Sequence, residues 1–464
     1  MSHTPAVDDV SHSCAVDDVS GTFAVVTFGC RVNQADSLVI ESALKNRGAR
    51  AVPAEQAGLV VVNTCSVTAS ADQGARQTIR RIARLNPGVR VIVTGCYATR
   101  RPDEIADLPN VVGVVSNGDK DRLTAVAVEK RWLTTSERFG SGDDACGGPL
   151  SPGDGGRTAL TLRVQTGCEE SCSYCIIPQT RGVSRSLPLP QVLSRVQMAI
   201  DAGYKELVLT GVHLGSYGRD LEDGTSLTAL VRRLTQIDAD VLFRISSLEP
   251  MDCGDALVEM VCSSPRLAPH FHLPLQHGDD GIISAMRRPY RFADYERLVH
   301  RIRDLMPHAS IGSDVIVGFP GEREDQFALM AERLRSLPLT HLHVFPYSDR
   351  PGTDASQLRD KVDGAVVRER GRQVREIGTA LTAQFRASQV GTTHRALTLD
   401  DGWSAVTGNY LKVRLDRQVA RNQWVDVRMT GSEPVTGTIT RLRGFAGYGG
   451  QAQSSDPRSL IPDP

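Results

Sequence analysis

Three cysteines stand close together in the segment QTGCEESCSYCIIP, residues 165–178. Cys168, Cys172 and Cys175 are separated by three and then by two residues. Three thiolates can hold three corners of a 4Fe–4S cube and leave the fourth iron open for a substrate or cofactor. A structural zinc site is the main alternative, but it would need a fourth Cys or His at matching spacing, and none follows Cys175 closely. The spacing of this first triad therefore favours an iron–sulfur cluster with one open iron.

A second triad is spread along the N-terminal part of the chain. Cys30, Cys65 and Cys96 each follow a predicted strand, in VVTFGC, VVVNTC and VIVTGC. The carboxyl ends of parallel strands lie on one edge of a sheet, so residues at these positions converge. A single buried cysteine is common, but three at the same topological position predict a second cluster, again with one open iron.

The elements that would position the second triad alternate between strands and helices. Apolar runs FAVVTF, LVVVN, RVIVTG and VVGVV are interleaved with helical patterns at about 36–47 and 72–85. This order predicts a parallel α/β domain over residues 23–135.

A second series of alternating strands and helices would position the first triad. Six candidate strands begin near residues 159, 206, 242, 270, 310 and 342, each followed by a segment of helix length. Six units are too few for a closed eight-stranded barrel and predict an open, partial (β/α)6 barrel over residues 158–389, ending in a long helix at about 363–389. The first triad follows the first strand, where such folds place chemistry.

The remaining segments have different compositions. Short alternating strands in HRALTL, YLKVRL, WVDVRM and TGTITRL predict a small antiparallel β-barrel over 390–445. Residues 136–157, rich in Gly, Ser, Asp and Pro, predict a flexible linker. The polar segments 1–22 and 446–464 predict disordered tails.

Composition narrows the possible functions. The net charge of −1 argues against a protein that binds polyanions through its overall charge. It is still compatible with a local basic surface. No apolar run approaches the ~20 residues that cross a bilayer, and the first residues do not resemble a secretory signal. Ten cysteines in such a chain indicate metal or redox chemistry. A cytoplasmic protein is expected.

With Tyr174 before its last cysteine, the first triad resembles the C-x3-C-x2-C hallmark of the radical S-adenosylmethionine (SAM) superfamily. The resemblance implies that SAM chelates the open iron and is cleaved by electron transfer to give a radical. It also implies five SAM contacts on this chain. These are Thr210 and Gly211 near the methionyl amine, Ser247 and Glu249 near the ribose or carboxylate, and Val317 near the adenine.

Several of these residues also have structural explanations. Each proposed SAM contact could be an ordinary strand-end turn or helix cap. Arg181 and Arg185 could reach the SAM carboxylate or an RNA phosphate, or form a solvated surface pair. His270 and His272 share one strand face and are expected to fill the barrel interior rather than bind a metal.

The α/β domain with its triad, the partial barrel and the C-terminal β-barrel together are similar to the methylthiotransferase family over about residues 23–445. The resemblance implies two 4Fe–4S clusters and two SAM molecules, one methylating sulfur at the second cluster and one making the radical. It implies a tRNA anticodon loop as substrate, a low-potential electron donor such as a flavodoxin or ferredoxin, and no membrane.

The C-terminal β-barrel resembles the TRAM module that such enzymes use to hold RNA. Basic residues could track phosphates and aromatic residues could stack on bases, although aromatic residues in a small barrel are equally expected in its core. The candidates are Arg395, Lys412, Arg414, Arg417, Arg421, Arg428, Trp403, Tyr410 and Trp424.

Within the family, GCRVNQADS, CIIPQTRGVSRS, TGVHLGSYG and RISSLEP are most similar to the enzymes that methylthiolate carbon 2 of N6-threonylcarbamoyladenosine at position 37 of tRNA. The isopentenyladenosine branch usually reads GCQMN and the ribosomal-protein branch GCPKN where this chain has GCRVN. One segment departs from the family pattern: PLQHGDD carries His277 and Asp279 where Ser-Gly-Ser-Asp is common.

Other functions remain as alternatives. The chain could act on isopentenyladenosine-37 or on a ribosomal-protein aspartate. It could be a radical SAM methyltransferase or dehydrogenase whose N-terminal domain binds cobalamin or nothing. A non-enzymatic iron–sulfur protein that binds RNA or senses redox state is the third possibility.

Overall fold

The computed structural model describes residues 21–130, 132, 151–153 and 157–443. The segments predicted as tails, up to residue 20 and from residue 446, lie outside the described residues, as does most of the predicted linker. The predicted N-terminal tail is one residue too long, because the first strand begins at Thr22, which pairs with Arg50.

The N-terminal unit is a five-stranded parallel sheet in the order β2-β1-β3-β4-β5. Its central strand is buried along its whole length and consists largely of valine, because helices cover both faces of the sheet. The strands are β1 (Thr22–Thr27), β2 (Arg50–Ala51), β3 (Leu59–Thr64), β4 (Arg90–Gly95) and β5 (Val111–Val115). The helices are α1 (Arg31–Asn46), α2 (Ala69–Leu85), α3 (Cys96–Arg100), α4 (Pro102–Ala106) and α5 (Leu123–Glu129).

Helix α1 begins five residues earlier than the sequence pattern predicted. Its N-cap is Cys30, which makes no side-chain capping hydrogen bond, so the usual Ser, Thr, Asp or Asn signal is missing. The first turn of α1 is therefore placed directly after the first cysteine of the second triad.

The central unit has the six predicted parallel strands. They form two three-stranded sheets, joined through the bridges Phe243 to Leu267 and Ser247 to His272. The strands are β6 (Leu160–Arg163), β9 (Glu206–Thr210), β10 (Leu242–Ile245), β11 (His270–His272), β12 (Ser310–Val317) and β13 (His341–Pro346); β7 (Gln165–Thr166) and β8 (Arg185–Ser186) form a small antiparallel pair. The helices are α6 (Ile177–Arg181), α7 (Leu189–Asp201), α8 (Leu227–Thr235), α9 (Asp255–Ser263), α10 (Asp280–Ala285), α11 (Phe292–Leu305) and α12 (Glu324–Ser336).

Side chains alternate between the two faces of these strands. Leu207 and Leu209 pack in the large core with helix residues such as Val192 and Val196. Glu206 and Val208 therefore point to the opposite face, the barrel interior. The predicted partial (β/α)6 barrel is confirmed.

The C-terminal unit follows α13 (Gly364–Ser388) and is a closed five-stranded barrel in the order β14-β15-β16-β18-β17. Its strands are antiparallel except for one parallel pair, β16 with β18. They are β14 (Thr393–Thr398), β15 (Ser404–Thr407), β16 (Lys412–Leu415), β17 (Trp424–Ser432) and β18 (Val435–Arg443). The sequence pattern missed β15, since four residues of SAVT are too few for a clear alternation.

Arg244 of β10 joins the central and C-terminal units. Its buried guanidinium donates to Glu206 Oε1 at 2.7 Å and to the backbone oxygen of Gly408 at 2.8 Å, and it lies over the ring of Tyr410. Among the described helices, none is both long and apolar enough to cross a membrane.

Candidate active site

The first triad lies in the loop between β7 and α6. The loop is folded back on residues 182 and 183, because the Cys168 N–H donates to the Gly182 oxygen at 3.0 Å. Gly167 has φ +76°, and a Cβ there would lie 1.8 Å from the Val183 oxygen, so only glycine fits. Burial, helped by the neighbouring Cys172 and Cys168, raises the pKa of Cys175 to about 12.

The second triad lies where the sheet argument predicted, after the neighbouring strands β1, β3 and β4. A Cβ on Gly29 would lie 2.6 Å from Cys65 Sγ, which shows how closely the Cys30 loop approaches Cys65. Burial raises the pKa of Cys65 to about 12, and Cys96 and Cys30 contribute in the same direction. Burial would also raise the pKa of Cys96, but Arg181 and Lys120 beside it hold that pKa below its usual value.

Helix α6 lies between the two triads. It begins directly after the first triad, and its last residue, Arg181, interacts with Cys96 and Cys30. The Asn117 side chain makes a second link, since its Nδ2 lies 3.5 Å from Cys96 Sγ and donates to the Thr180 oxygen at 2.9 Å. Five helical residues span only about 7 Å, so the two triads flank one short element.

Arg181 is buried, so the solvated surface pair considered for it is wrong. It donates to Asn33 Oδ1 at 2.5 Å and to Asp36 Oδ2 at 3.2 Å. Asp36 also accepts from Lys120 Nζ at 3.0 Å and Arg163 Nη1 at 2.6 Å. Burial alone would raise the Asp36 pKa, but these three cations lower it to about 2. One carboxylate thus ties the N-terminal and central units together.

Arg288 is the main site residue that the sequence analysis missed. Its Nη1 lies 3.1 Å from Cys172 Sγ, and its Nη2 forms an ion pair with Glu249. Glu249, predicted to contact SAM, is therefore connected to the first triad through one arginine. The sequence shows a pair of arginines, Arg287 and Arg288, in MRRPY after α10. Their position along the chain does not indicate that either lies near a cysteine.

His213 is a second missed residue. Its Nδ1 lies 3.9 Å from Cys168 Sγ, and its Nε2 is 2.7 Å from Asp252 Oδ2. Burial alone would lower its pKa, but Asp252 and Cys168 raise it to about 9. His213 lies within the TGVHLGSYG segment, whose sequence indicates the family but gives no sign of a contact with a cysteine.

Thr210, Gly211, Ser247 and Val317, which are predicted to contact SAM, lie at or just after the carboxyl ends of β9, β10 and β12. Thr210 is buried at the end of β9 and accepts from Ser246 Oγ at 3.2 Å. Gly211 follows it, and a Cβ there would lie 2.9 Å from Gln165 Oε1. Ser247 is exposed after β10, and Val317 is the buried last residue of β12.

Tyr174 and Arg185 occupy different environments. Tyr174 packs against an apolar cluster that includes Met286 and Phe319, and burial raises its pKa well above the usual value. Arg185 is exposed in β8, opposite Thr166.

The two residues that depart from the family pattern have structural contacts. His277 is fully buried, its Nδ1 accepts from the Asp279 N–H at 2.9 Å, and its Nε2 lies 3.6 Å from Glu322. Asp279 caps α10, accepting from the Ile282 N–H at 3.1 Å.

Histidines line the inner face of β11 and β13. His270 is buried and lies 5.0 Å from the Tyr410 ring. Asp314 Oδ1 is 3.0 Å from both His272 Nε2 and His343 Nδ1, and although burial opposes the shift, these two rings hold the Asp314 pKa well below its usual value. The predicted interior position of His270 is thus observed.

The geometry of the thiols fits a cluster better than a single zinc ion. Over the described residues, ligand atoms of three Cys, His, Asp or Glu side chains lie within 4.8 Å of one another at one place, His272, Asp314 and His343. The sulfurs of each cysteine triad are therefore spread more widely than the ~3.8 Å that tetrahedral Zn–S geometry requires. Thiols whose pKa is raised by burial and by each other become good ligands when a cationic centre compensates their charge.

Comparisons with known proteins identify the family. A model described as Uncharacterized protein family UPF0004 matches residues 22–116, and one described as Radical SAM superfamily matches residues 162–334. A threonylcarbamoyladenosine tRNA methylthiotransferase of Aquifex aeolicus is 36% identical, covering 84% of this chain and 96% of its own. The chain belongs to the radical SAM methylthiotransferase family. It is therefore a radical SAM transferase with 4Fe–4S and SAM as cofactors.

Further relatives of this methylthiotransferase carry the same name or that of another branch of the family. The Bacillus subtilis threonylcarbamoyladenosine tRNA methylthiotransferase is 35% identical, covering 79% of this chain and 82% of its own. A ribosomal protein uS12 methylthiotransferase of Pelobacter propionicus is 32% identical, covering 90% and 94%. Among solved structures, a radical SAM methyltransferase of Kitasatospora setae matches with a TM-score of 0.52 and 15% identity over 72% of this chain and 75% of its own, which shows the fold alone.

Proposed function

We propose that this methylthiotransferase places a methylthio group on carbon 2 of N6-threonylcarbamoyladenosine at position 37 of tRNA, using two 4Fe–4S clusters and two SAM molecules. The observation that carries the proposal is the pair of cysteine triads on either side of α6, linked through Arg181. The names of the Aquifex and Bacillus relatives support the choice of substrate.

Each triad has a separate role in the proposal. Cys168, Cys172 and Cys175 would hold the cluster that binds SAM, and Cys30, Cys65 and Cys96 would hold the second cluster. Tyr174, Thr210, Gly211, Ser247, Glu249, Val317 and Arg185 would surround SAM. When bound, these cofactors supply the electron transfer, the radical and the sulfur that the protein side chains lack.

The side chains around the triads orient the thiolates and neutralise charge. Arg288 and His213 each place a polar hydrogen near a first-triad sulfur, at Cys172 and Cys168. Charge-assisted hydrogen bonds of this kind tune a metal site and fix the direction of its ligands. Arg181 acts in the same way on Cys96 and connects the end of α6 to the second triad.

The C-terminal barrel supplies the proposed grip on RNA. Trp403 is about half exposed, whereas Trp424 is buried and belongs to the core. The predicted RNA contacts that are exposed and basic are Lys412, Arg414, Arg417, Arg421 and Arg428, and Arg441 and Arg443 of β18 are exposed as well. An exposed aromatic ring among basic side chains suits an unpaired loop, whose bases can be splayed out and stacked. A tRNA substrate places the enzyme in the cytoplasm, with a low-potential donor such as a flavodoxin or ferredoxin.

Mass analysis of modified nucleosides tests the proposal. Cells that lack this chain should lose methylthiolated threonylcarbamoyladenosine and keep the unmethylthiolated form. The intact gene should restore the modification, a Cys65→Ala variant should not, and the matched Cys262→Ala variant should. Loss of the isopentenyl form instead, or loss of methylthiolation on a ribosomal-protein aspartate, would replace the proposed substrate.

A further inference from the structure

A crevice of about 550 Å³ lies where the three units meet. Its walls are the start of α1, the inner faces of β6 and β9, and one side of the C-terminal barrel. Residues from all three units line it: Arg31, Gln34, Arg157, Glu206, Tyr410 and Lys412.

The acidic groups of the crevice are already engaged. Glu206 is paired with Arg244 at 2.7 Å, and Asp400 lies 3.6 Å from Arg421. Asp401 accepts backbone N–H groups of Trp403 and Ser404 at 3.0 and 2.8 Å. Asp401 keeps its negative charge on these hydrogen bonds, and although burial opposes the shift, they and the nearby Lys412 lower its pKa.

The cations of the crevice contact neutral groups instead. Arg31 Nη2 donates to the Tyr410 hydroxyl at 2.7 Å, and Arg157 Nη1 donates to Gln34 Oε1 at 2.7 Å. Over the described residues, no carboxylate oxygen lies within 4.0 Å of a nitrogen of Arg31, Arg157 or Lys412. The side of the crevice that holds Arg31 and Arg157 therefore has positive charge that no described carboxylate contacts, and it suits an anionic group.

Arg31 is the cation nearest to the proposed chemistry. It directly follows Cys30 of the second triad and begins α1. In adenosine, carbon 2 and the carbon that bears N6 are both bonded to N1. A side chain that binds the N6 substituent must therefore lie close to the site where carbon 2 reacts. A planar guanidinium at this position can take a carboxylate in two parallel hydrogen bonds.

We propose that the crevice receives the N6 substituent of the substrate adenosine and that Arg31, held by the Tyr410 hydroxyl, pairs with the carboxylate of its threonyl group. This inference rests on the proposed function and adds a residue that selects the substrate. An isopentenyl substituent carries no charge and would leave Arg31 without a partner, which disfavours it in this crevice.

Binding of anticodon stem-loop RNAs to the reconstituted enzyme tests the pairing. Three loops are compared, carrying threonylcarbamoyladenosine, its methyl ester or unmodified adenosine at position 37. The wild type should bind the carboxylate loop about 10- to 100-fold more tightly than the ester loop, the range of a charge-assisted pair. Arg31→Gln should bind both loops equally, with its affinity for the ester loop unchanged, which also shows that the variant is folded.

Two control variants distinguish the role of Arg31 from that of other cations. Lys412→Gln should weaken the binding of all three loops by a similar factor and keep the preference for the carboxylate loop. Arg335→Gln, on the exposed side of α12, should leave all three affinities unchanged. The inference is overturned if Arg31→Gln keeps the wild-type preference, or if Lys412→Gln abolishes it. A wild type that binds the carboxylate and unmodified loops equally would overturn the proposed substrate itself, and with it this inference.

Discussion

Arg181 Nη2 lies 3.2 Å from Asp36 Oδ2, joining the helix that follows the first triad to the first helix of the N-terminal unit. Asp36 also forms ion pairs with Lys120 and Arg163, so three cations surround one buried carboxylate. Removing that carboxylate would leave Lys120 and Arg181 without a carboxylate partner among the described residues, whereas Arg163 would keep Asp121.

Asp36→Asn should lower the free energy of unfolding by about 3–5 kcal/mol at neutral pH, because it leaves buried cations unpaired. The carboxyl has a folded-state pKa of about 2 against an ordinary 3.8, so the folded state binds its proton less readily. Its stabilising contribution of about 2 kcal/mol is therefore complete above about pH 4 and is lost as the pH falls through 2. Urea unfolding of the cluster-free chain between pH 7 and pH 2 measures both effects, and an unchanged pH slope in Asp36→Asn would contradict them.

Replacing the cysteines of one triad should remove one cluster. After anaerobic reconstitution the wild type should hold about eight irons, and a variant with alanine at Cys30, Cys65 and Cys96 about four. The matched control is alanine at Cys253 and Cys262, two cysteines outside both triads, which should still give about eight. About four irons in the wild type would favour the alternative of a single-cluster radical SAM enzyme.

Arg288→Gln should make the potential of the first cluster more negative. The guanidinium near Cys172 favours the reduced, more anionic state, and a differential interaction of about 1.4 kcal/mol corresponds to about 59 mV for one electron. Redox titration followed by electron paramagnetic resonance, in the background that lacks the second triad, measures the shift. Arg288→Lys should recover part of it, and equal potentials in all three proteins would exclude this role.

Trp403 and Trp424 should behave differently when changed to alanine. Trp403 is 46% exposed, so its loss should reduce anticodon stem-loop affinity by about 1–3 kcal/mol with little change in melting temperature. Trp424 is 1% exposed and packs under Arg395, so its loss should cost about 3–5 kcal/mol of stability. Thermal unfolding and RNA titration on both variants distinguish the two roles, and a stable Trp424→Ala would contradict the core assignment.

His277→Ser should affect stability and not substrate choice. The imidazole is fully buried beside Glu322, so a smaller side chain leaves a cavity that costs about 1–3 kcal/mol. The ratio of affinities for the carboxylate and ester stem-loops should stay as in the wild type. A change in that ratio without loss of stability would show that this loop contacts the substrate.

Much of the site could be predicted because its chemistry is attached to regular elements. Cys65 and Cys96 follow buried strands, and parallel strands end on one edge, so their convergence follows from topology alone. The six barrel strands were found in the same way, from apolar runs separated by helix-length segments.

The residues that could not be predicted depend on how separate segments pack together. Arg288 meets Cys172 across 116 positions of sequence, and Arg31 meets Tyr410 across 379. Periodicity places each residue on its own element but says nothing about the distance between two elements. Arg181 shows the same limit. An arginine is expected to be exposed to solvent, whereas the contacts of this one bury it.

The link that Arg244 makes with Gly408 fixes the C-terminal barrel beneath the interior of the central one. Under the proposed function, a module held this way would fix the distance between the RNA-binding surface and the cysteine triads, so that the nucleotide that reaches the chemistry would be chosen by its place along the loop. Side chains of the crevice can then decide which substituent is accepted without any change in that distance.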